Sequence, residues 1–213
     1  MLSPDEIRYS IKVMRQTFPE AGTTLIADTN YHFLLATILS AQSTDQSVNE
    51  VTPALFARFP LPADLAGVEP AEVEPYIKRL GLYRNKAKFL VKTSQQIVTD
   101  FNGEVPHTLK ELITLSGVGR KVADVVLAEC FNIPAFPVDT HVSRVARRLR
   151  MVEPKASVLA IEKKLMKTIP PEHWLDAYHS MIFWGRYVCT ARNPKCQTCP
   201  LLSLCVTGQN NVI

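Results

Sequence analysis

The 213-residue sequence predicts an all-α protein, and three observations support this fold class. Apolar residues recur at helical spacing along most of the chain. Many of the 15 prolines lie near the edges of these stretches, where prolines begin or end helices. Strand signals are nearly absent, because the segment 136–138 is too short and contains a proline. A composition of 46% hydrophobic and 21% charged residues excludes a disordered or collagen-like chain.

The predicted helices follow one another from the N-terminus. Ser3 precedes Pro4, Asp5 and Glu6, and this combination of a cap, a first-turn proline and two acids favours a helix start. The apolar run 33–38 predicts a central helix that is buried on most sides. Further helices are predicted at 47–58, 71–79, 84–100, 108–114, 120–131, 141–151, 157–167 and 173–187.

Charge is spread unevenly along the chain, which has 24 basic and 20 acidic residues and a formal net charge of +4. Basic residues concentrate at 78–92, 120–121, 144–150 and 192–195, a pattern typical either of a solvated helix face or of a polyanion-binding surface. No apolar run reaches the roughly 18 residues that span a bilayer, and the acidic start is unlike a signal peptide. We therefore expect a cytoplasmic protein with no membrane partner, nucleoid-associated if the source is bacterial.

The segment 112–124 predicts two apolar helices joined by a very tight turn. Gly117 and Gly119 flank Val118, and glycine adopts backbone angles that other residues resist. Such a turn exposes backbone N–H groups beside a helix N-terminus, which can bind a phosphate oxygen without reading a base. An ordinary helix connection is the alternative, but the apolar Leu115 and Val118 favour a hairpin that grips nucleic acid.

Lys121 and Asp139 are the candidate chemical groups near this hairpin. The helix dipole and Arg120 both oppose the charge on Lys121, which favours the neutral amine needed for nucleophilic attack. A phosphate-binding cation is an equally good interpretation of Lys121. Asp139 is typical of a helix N-cap, and a rigidly held carboxylate can also act on a reacting centre. The chain between Lys121 and Asp139 is long enough for both to face one cleft.

Four of the five cysteines, Cys189, Cys196, Cys199 and Cys205, lie close together near the C-terminus. In a reducing compartment this cluster predicts a metal site rather than disulfides. Four thiolates leave no open coordination position, so the site is expected to be structural. Spacings of six, two and five residues favour a [4Fe–4S] cluster over zinc, since zinc fingers usually supply two close ligand pairs. Cys130, within an apolar helix, is predicted to be buried.

The hairpin at 115–121, the motif at 138–141 and the cysteine spacing together resemble the endonuclease III family. Members of this family are bifunctional DNA glycosylases and AP lyases of the helix–hairpin–helix superfamily. The likeness spans nearly the whole chain and includes the segments 39–45 and 81–83. It implies a monomer that acts in base-excision repair on double-stranded DNA containing oxidised pyrimidines or abasic sites.

The resemblance also implies two helical domains. A six-helix barrel is expected at 22–133, with the helix–hairpin–helix at 112–129. An iron–sulfur cluster domain is expected to combine 1–21 with 134–213. DNA is expected to bind in a groove between the two domains.

Individual roles follow from the same resemblance. Lys121 is the expected nucleophile at C1′ of the damaged nucleotide, and Asp139 is expected to assist attack and proton transfer. A Schiff base and β-elimination would then cut the strand 3′ to the abasic site. Gln42 would fill the gap left by the flipped base, and Leu82 would wedge into the opposite strand. The other expected site residues are Ser40 and Asp45 in the pocket, His141 at its border, Gly117, Val118, Gly119, Arg192 and Lys195 as DNA contacts, and Cys189, Cys196, Cys199 and Cys205 as cluster ligands.

Three residues depart from the usual family pattern: Ser116 replaces a proline, Asp124 an asparagine, and Ile113 an acidic residue near the pocket. Two other functions remain as alternatives. An adenine glycosylase of the mismatch-repair type shares the hairpin, aspartate and cluster, but Lys121 and a chain that ends at residue 213 argue against it. A non-enzymatic DNA-binding or redox-sensing protein would use Lys121 only as a phosphate contact.

Overall fold

The computed structural model describes residues 1–212, and these residues form helices and connecting loops with no strand. The prediction of an all-α protein is therefore confirmed. In chain order the α-helices are α1 (Pro4–Thr17), α2 (Asn30–Leu39), α3 (Asp45–Arg58), α4 (Pro62–Ala66), α5 (Pro70–Ile77), α6 (Tyr83–Asp100), α7 (Leu109–Leu112), α8 (Arg120–Phe131), α9 (Thr140–Arg148), α10 (Val158–Thr168), α11 (Trp174–Tyr187) and α12 (Val206–Val212). Short 3-10 helices lie at Pro171–His173, Cys196–Thr198 and Leu202–Leu204.

The chain divides into two compact units, with the change from one to the other after Thr23 and again after Ile133. One unit is the continuous segment Thr24–Ile133 and holds α2 to α8. The other combines Met1–Thr23 with the chain from Pro134 onward. Across residues 1–212, no helix combines the length and apolar character needed to cross a membrane.

The Thr24–Ile133 unit is built around α2 and α6. Nine of the ten residues of α2 are buried, as its almost continuous apolar sequence predicts. This helix packs against α3, α6 and α8, while α4 and α5 pack against α6. The 18-residue α6 buries a stripe that includes Ala87, Leu90 and Ile97, and its polar positions remain available to the loops around it.

In the other unit, α11 packs against α1 and α9, and α10 packs against the same two helices. Helix α1 begins with a capping box: the Ser3 hydroxyl accepts from the N–H of Glu6, and the Glu6 carboxylate accepts from the N–H of Ser3. Trp184 of α11 is almost completely buried and anchors this core.

Some helices differ from the sequence prediction. The short α4 and α12 were not predicted, because five and seven residues carry too little periodic signal. The helix predicted at 108–114 is limited to α7, and the one predicted to reach residue 151 ends before Arg150, whose φ of +57° is left-handed. Cys130 is half-buried rather than buried, and burial raises the pKa of its thiol to about 12.

Candidate functional site

The two hairpin glycines have different reasons to be glycine. Gly117 has a φ of +79°, and a Cβ there would lie 3.0 Å from the Cβ of Phe89, so the turn itself requires this glycine. Gly119 has an ordinary φ of −86°, and a Cβ there would meet nothing within 4 Å. The expectation that both glycines supply unusual backbone angles is therefore wrong for Gly119. Its missing side chain leaves open space at the N-cap of α8.

Two backbone N–H groups of this turn are left without an acceptor in the described part of the chain. Among residues 1–212, no acceptor takes a hydrogen bond from the N–H of Gly117 or of Gly119. The N–H of Val118, between them, donates to the carbonyl of Leu115 at 3.1 Å. Leu115 and Val118 are both buried, as expected of the apolar contacts that close a hairpin. Unpaired N–H groups at a helix N-terminus form an anion-binding surface.

Helix α6 holds the hairpin in place through two polar side chains that sequence reasoning missed. The Gln96 amide donates to the carbonyl of Thr114 at 2.9 Å and accepts from the N–H of Ser116 at 2.8 Å. The Thr93 hydroxyl donates to the carbonyl of Ser116. A proline at position 116 would have no N–H to donate, so the bond to Gln96 depends on this departure from the family pattern.

Lys121 lies in the first turn of α8, directly after the hairpin, and is half-buried. One turn further on, the Asp124 carboxylate is buried and lies 4.0 Å from the Nε of Arg120. Ile113, at the end of α7, is half exposed, so this departure places an apolar surface beside the hairpin.

Asp139, in the other unit, is the N-cap of α9, as its sequence context predicts. Its Oδ1 accepts from the N–H of Val142 at 2.7 Å, which fixes the carboxylate rigidly at the start of the helix. Asp139 also lines an open cavity together with Ser143, Arg144 and Arg147. Three neighbouring side chains that can donate hydrogen bonds therefore share this cavity with the carboxylate.

His141 lies in the first turn of α9 and contacts Arg144. Its Nδ1 lies 3.1 Å from the Arg144 guanidinium, which can only donate, so the ring proton is on Nε2. Burial lowers the pKa of His141, and the charges of Arg144 and Arg186 lower it further, while Asp139 and the Gly185 backbone act in the opposite direction.

Gln42 and Leu82 are exposed residues with left-handed backbone conformations. Gln42 has a φ of +53°, in the loop between α2 and α3, and Leu82 has a φ of +59° at the start of α6. Such angles cost a residue with a side chain about 1–2 kcal/mol relative to ordinary conformations. Ser40 lies in the same loop as Gln42, and Asp45 begins α3 and accepts from the Thr24 hydroxyl.

The four C-terminal cysteines line one cavity. Three side-chain or backbone donors approach their sulfur atoms. The N–H of Gly208 lies 3.2 Å from Cys205 Sγ, Arg148 Nη1 lies 3.5 Å from Cys189 Sγ, and Asn211 Nδ2 lies 3.7 Å from Cys196 Sγ. Four sulfur ligands around a cavity, with N–H donors to the sulfurs, fit an iron–sulfur cluster.

Burial raises the pKa of the Cys199 and Cys205 thiols, and the neighbouring cysteines add to this effect. Metal coordination requires the thiolate form, so binding of a cationic cluster core must release protons here. Arg192 and Lys195 are both exposed, in the loop between the first two cysteines of the set.

Two family models match this chain. The first, described as an HhH-GPD superfamily base excision DNA repair protein, covers residues 35–171. The second, described as the iron–sulfur binding domain of endonuclease III, covers residues 189–205, the range that begins and ends on cysteines. The hairpin and the helical fold thus define a base-excision DNA repair protein of the helix–hairpin–helix superfamily.

Individual relatives narrow this class. Endonuclease III of Bacillus subtilis is 46% identical over 98% of this chain and 95% of its own length. Endonuclease III of Escherichia coli K12 is 40% identical over 90% of each chain. The chain belongs to the endonuclease III family. It is a DNA glycosylase with AP lyase activity, and its cofactor is a [4Fe–4S] cluster.

Solved structures agree with this assignment. A trapped endonuclease III–DNA covalent intermediate, an estranged-adenine complex, matches with a TM-score of 0.97 and 45% identity, over 100% of both chains. A thermostable thymine-DNA glycosylase has only 20% identity and shows the same fold, with a TM-score of 0.88 over 97% of this chain and 98% of its own.

The two glycines provide a matched pair of variants. Gly117→Ala should lower the free energy of unfolding by about 1–2 kcal/mol, because alanine resists the left-handed conformation. Gly119→Ala should lower it by about 1 kcal/mol or less, yet weaken DNA binding, because its methyl group occupies the open space beside the N–H donors. Denaturant unfolding and titration with duplex DNA measure the two effects. Wild-type affinity in Gly119→Ala would contradict the proposed role of that open space.

His141 should titrate at a lower pH than an ordinary histidine. Since its pKa is lowered, the ring should stay neutral until the pH falls below about 6.5, the usual histidine value. An NMR titration of the five histidines should contain a resonance of this kind that disappears in His141→Asn. A midpoint at or above the usual value would show that the Arg144 contact does not hold Nδ1 as an acceptor.

Proposed function

We propose that this enzyme removes oxidised pyrimidines from double-stranded DNA and cuts the strand 3′ to the resulting abasic site. The observation that best supports this reaction is the position of Lys121, one turn from two unpaired backbone donors at the start of α8. A phosphate bound at those donors brings a sugar close to the lysine. The covalent intermediate trapped in a structurally similar endonuclease III also favours a covalent route.

Lys121 is proposed as the nucleophile. The positive end of the α8 dipole disfavours an ammonium in its first turn and so favours the neutral amine. The amine attacks C1′, the bond from C1′ to the damaged base breaks, and a Schiff base forms between Nζ and the opened sugar. Loss of a C2′ proton then expels the 3′ phosphate, and hydrolysis of the imine frees the lysine.

Asp139 is proposed to support this attack with its negative charge and to take part in proton transfer. The cap bond to Val142 keeps the carboxylate in one orientation, as a catalytic group requires. Its second oxygen is not needed for the cap. One residue thus fixes the start of α9 and presents a carboxylate oxygen to solvent and substrate.

The remaining site residues are proposed to bind and open the DNA. The hairpin at Gly117, Val118 and Gly119 binds a backbone phosphate through its N–H groups. Gln42 fills the gap left by the extruded nucleotide, and Leu82 separates the opposite base from its neighbour. We assign Ser40 and Asp45 to the pocket, His141 to its border through the Nε2–H, and Arg192 and Lys195 to backbone phosphates.

We assign Cys189, Cys196, Cys199 and Cys205 as the ligands of the [4Fe–4S] cluster. When bound, the cluster cross-links the C-terminal segment and takes no part in bond breaking. This cross-link holds the loop with Arg192 and Lys195 against the folded unit, so that both cations face the DNA backbone. We further propose that the enzyme acts as a monomer on chromosomal DNA, within the nucleoid of a bacterial cell.

Borohydride trapping tests the covalent step. Reduction of the proposed imine should link wild-type enzyme to DNA that contains thymine glycol or an abasic site, and the adduct should migrate as one species on a denaturing gel. Lys121→Gln should form none, whereas Lys110→Gln, an exposed lysine on α7, should trap like wild type. Tight binding by cluster-loaded wild-type enzyme without any adduct would overturn the proposal.

Replacing Asp139 with asparagine or with alanine distinguishes its capping of α9 from its proposed catalytic role. Asp139→Asn keeps an oxygen that can cap α9, so its free energy of unfolding should stay within about 0.5 kcal/mol of wild type, while Asp139→Ala should lose about 1 kcal/mol. Both should reduce base removal by about 10²–10⁴-fold. Denaturant unfolding and single-turnover release of thymine glycol measure the two effects. Full activity in Asp139→Asn would leave the residue only a structural cap.

A further inference from the structure

Lys86 is a buried lysine that contacts both loops proposed to enter the DNA. It lies in the first turn of α6, and its side chain reaches the loop between α2 and α3. The residue is 3% exposed, although its sequence context places it in the basic segment 78–92. It therefore cannot act as the solvated or phosphate-binding cation that this segment predicts.

The two contacts of Lys86 go to different loops. Its backbone N–H donates to the carbonyl of Leu82 at 3.0 Å, which closes the first turn of α6. Its Nζ donates to the Oγ of Ser43 at 2.7 Å. Ser43 directly follows Gln42, and a Cβ at Gly81 would have the Gln42 carbonyl as its nearest neighbour, at 3.9 Å. The loops that carry Gln42 and Leu82 thus lie side by side.

We propose that Lys86 is a positioning residue that fixes the Gln42 loop to the Leu82 loop, so that both side chains enter the DNA together. This inference rests on the insertion roles assigned above. Lys86 itself contacts neither the substrate nor the reacting atoms in this assignment.

The cost of burying Lys86 argues against a purely stabilising role. Burial lowers its pKa, because the ammonium loses water and gains little in return. Among residues 1–212, Ser43 is the one side chain or carbonyl that accepts from its Nζ, although an ammonium has three donors. An apolar side chain of similar length would fill the same space without this desolvation. What the lysine adds is a directed bond to one position in a loop.

The left-handed conformations of Gln42 and Leu82 explain why such a bond is needed. Residues with side chains leave this region unless the surrounding structure holds them there. Leu82 is held by α6, which starts directly after it. Gln42 lies in a five-residue loop from Ser40 to Thr44, where the hydrogen bond from Lys86 restrains the adjacent residue.

A fluorescent base opposite the lesion tests this coupling. The probe is 2-aminopurine placed opposite a tetrahydrofuran abasic analogue in duplex DNA, and its fluorescence rises when the base is unstacked. Saturating wild-type protein should produce the rise. Lys86→Met should lower the ratio of inserted to uninserted complexes by roughly tenfold, a factor that corresponds to about 1.4 kcal/mol, close to the lower end of the range for one charge-assisted hydrogen bond. Its free energy of unfolding should equal or exceed that of wild type, which a merely structural lysine would not allow.

Ser43→Ala removes the same hydrogen bond from the loop side, at a partly exposed position. It should lower the same ratio by the same factor, and the double variant Lys86→Met/Ser43→Ala should lose nothing further. A wild-type rise in either single variant would overturn the proposal. Additive losses would equally overturn it, because the two residues would then act separately.

Lys88→Met is the matched control, because it removes the same charge from an exposed position two residues away. It should weaken DNA binding without changing the fluorescence of the saturated complex. Borohydride trapping by the wild-type protein distinguishes a failure of the Lys86 coupling from a failure of the proposed function. If wild type traps abasic DNA and Lys86→Met keeps the full rise, only the coupling fails; if wild type shows neither trapping nor a rise, the proposed function fails.

Discussion

Every loop of the Thr24–Ile133 unit to which we assign a DNA contact is fixed by α6. This helix begins at Leu82, binds the loop of Gln42 through Lys86, and holds the hairpin through Thr93 and Gln96. It also packs against α2, α4 and α5. One rigid helix can therefore set the separation of three loops that are far apart in sequence, as a duplex of fixed dimensions requires.

In the other unit, α9 connects the proposed catalytic carboxylate of Asp139 to the segment that carries the cysteines. It begins at the cap Asp139, and two of its arginines, one in the middle of the helix and one at its last residue, contact the chain before, at and after the first cysteine. Arg144 donates to the carbonyls of Gly185 and Cys189, and Arg148 donates to the carbonyl of Thr190 and contacts Cys189 Sγ. The sequence interpretation of this basic run as a polyanion-binding surface therefore does not apply to these two arginines. Their main partners are carbonyls, so they connect the cluster segment to the helix that carries the carboxylate.

The sequence predicted features that depend on local patterns and missed those that depend on partners distant in the chain. Helical periodicity, the cap at Asp139 and the cysteine spacing are local, and each could be read directly. Gln96 looks like a solvated polar residue until Ser116, 20 residues later, is placed beside it. Lys86 looks like part of a basic surface, although its spacing from Leu90 already matches the buried stripe of α6. The different roles of Gly117 and Gly119 are recognised only from their backbone angles and neighbouring atoms, which the order of residues does not reveal.

The left-handed conformations of Gln42 and Leu82 have a consequence for the evolution of this enzyme. Glycine would adopt both backbone conformations at lower free energy, but it would also remove the side chains that we propose enter the opened duplex. The most heat-resistant version of this fold and the most active one therefore have different sequences at these two positions. Selection for thermostability alone would favour glycine there, at the expense of the DNA insertion that we propose for these two side chains.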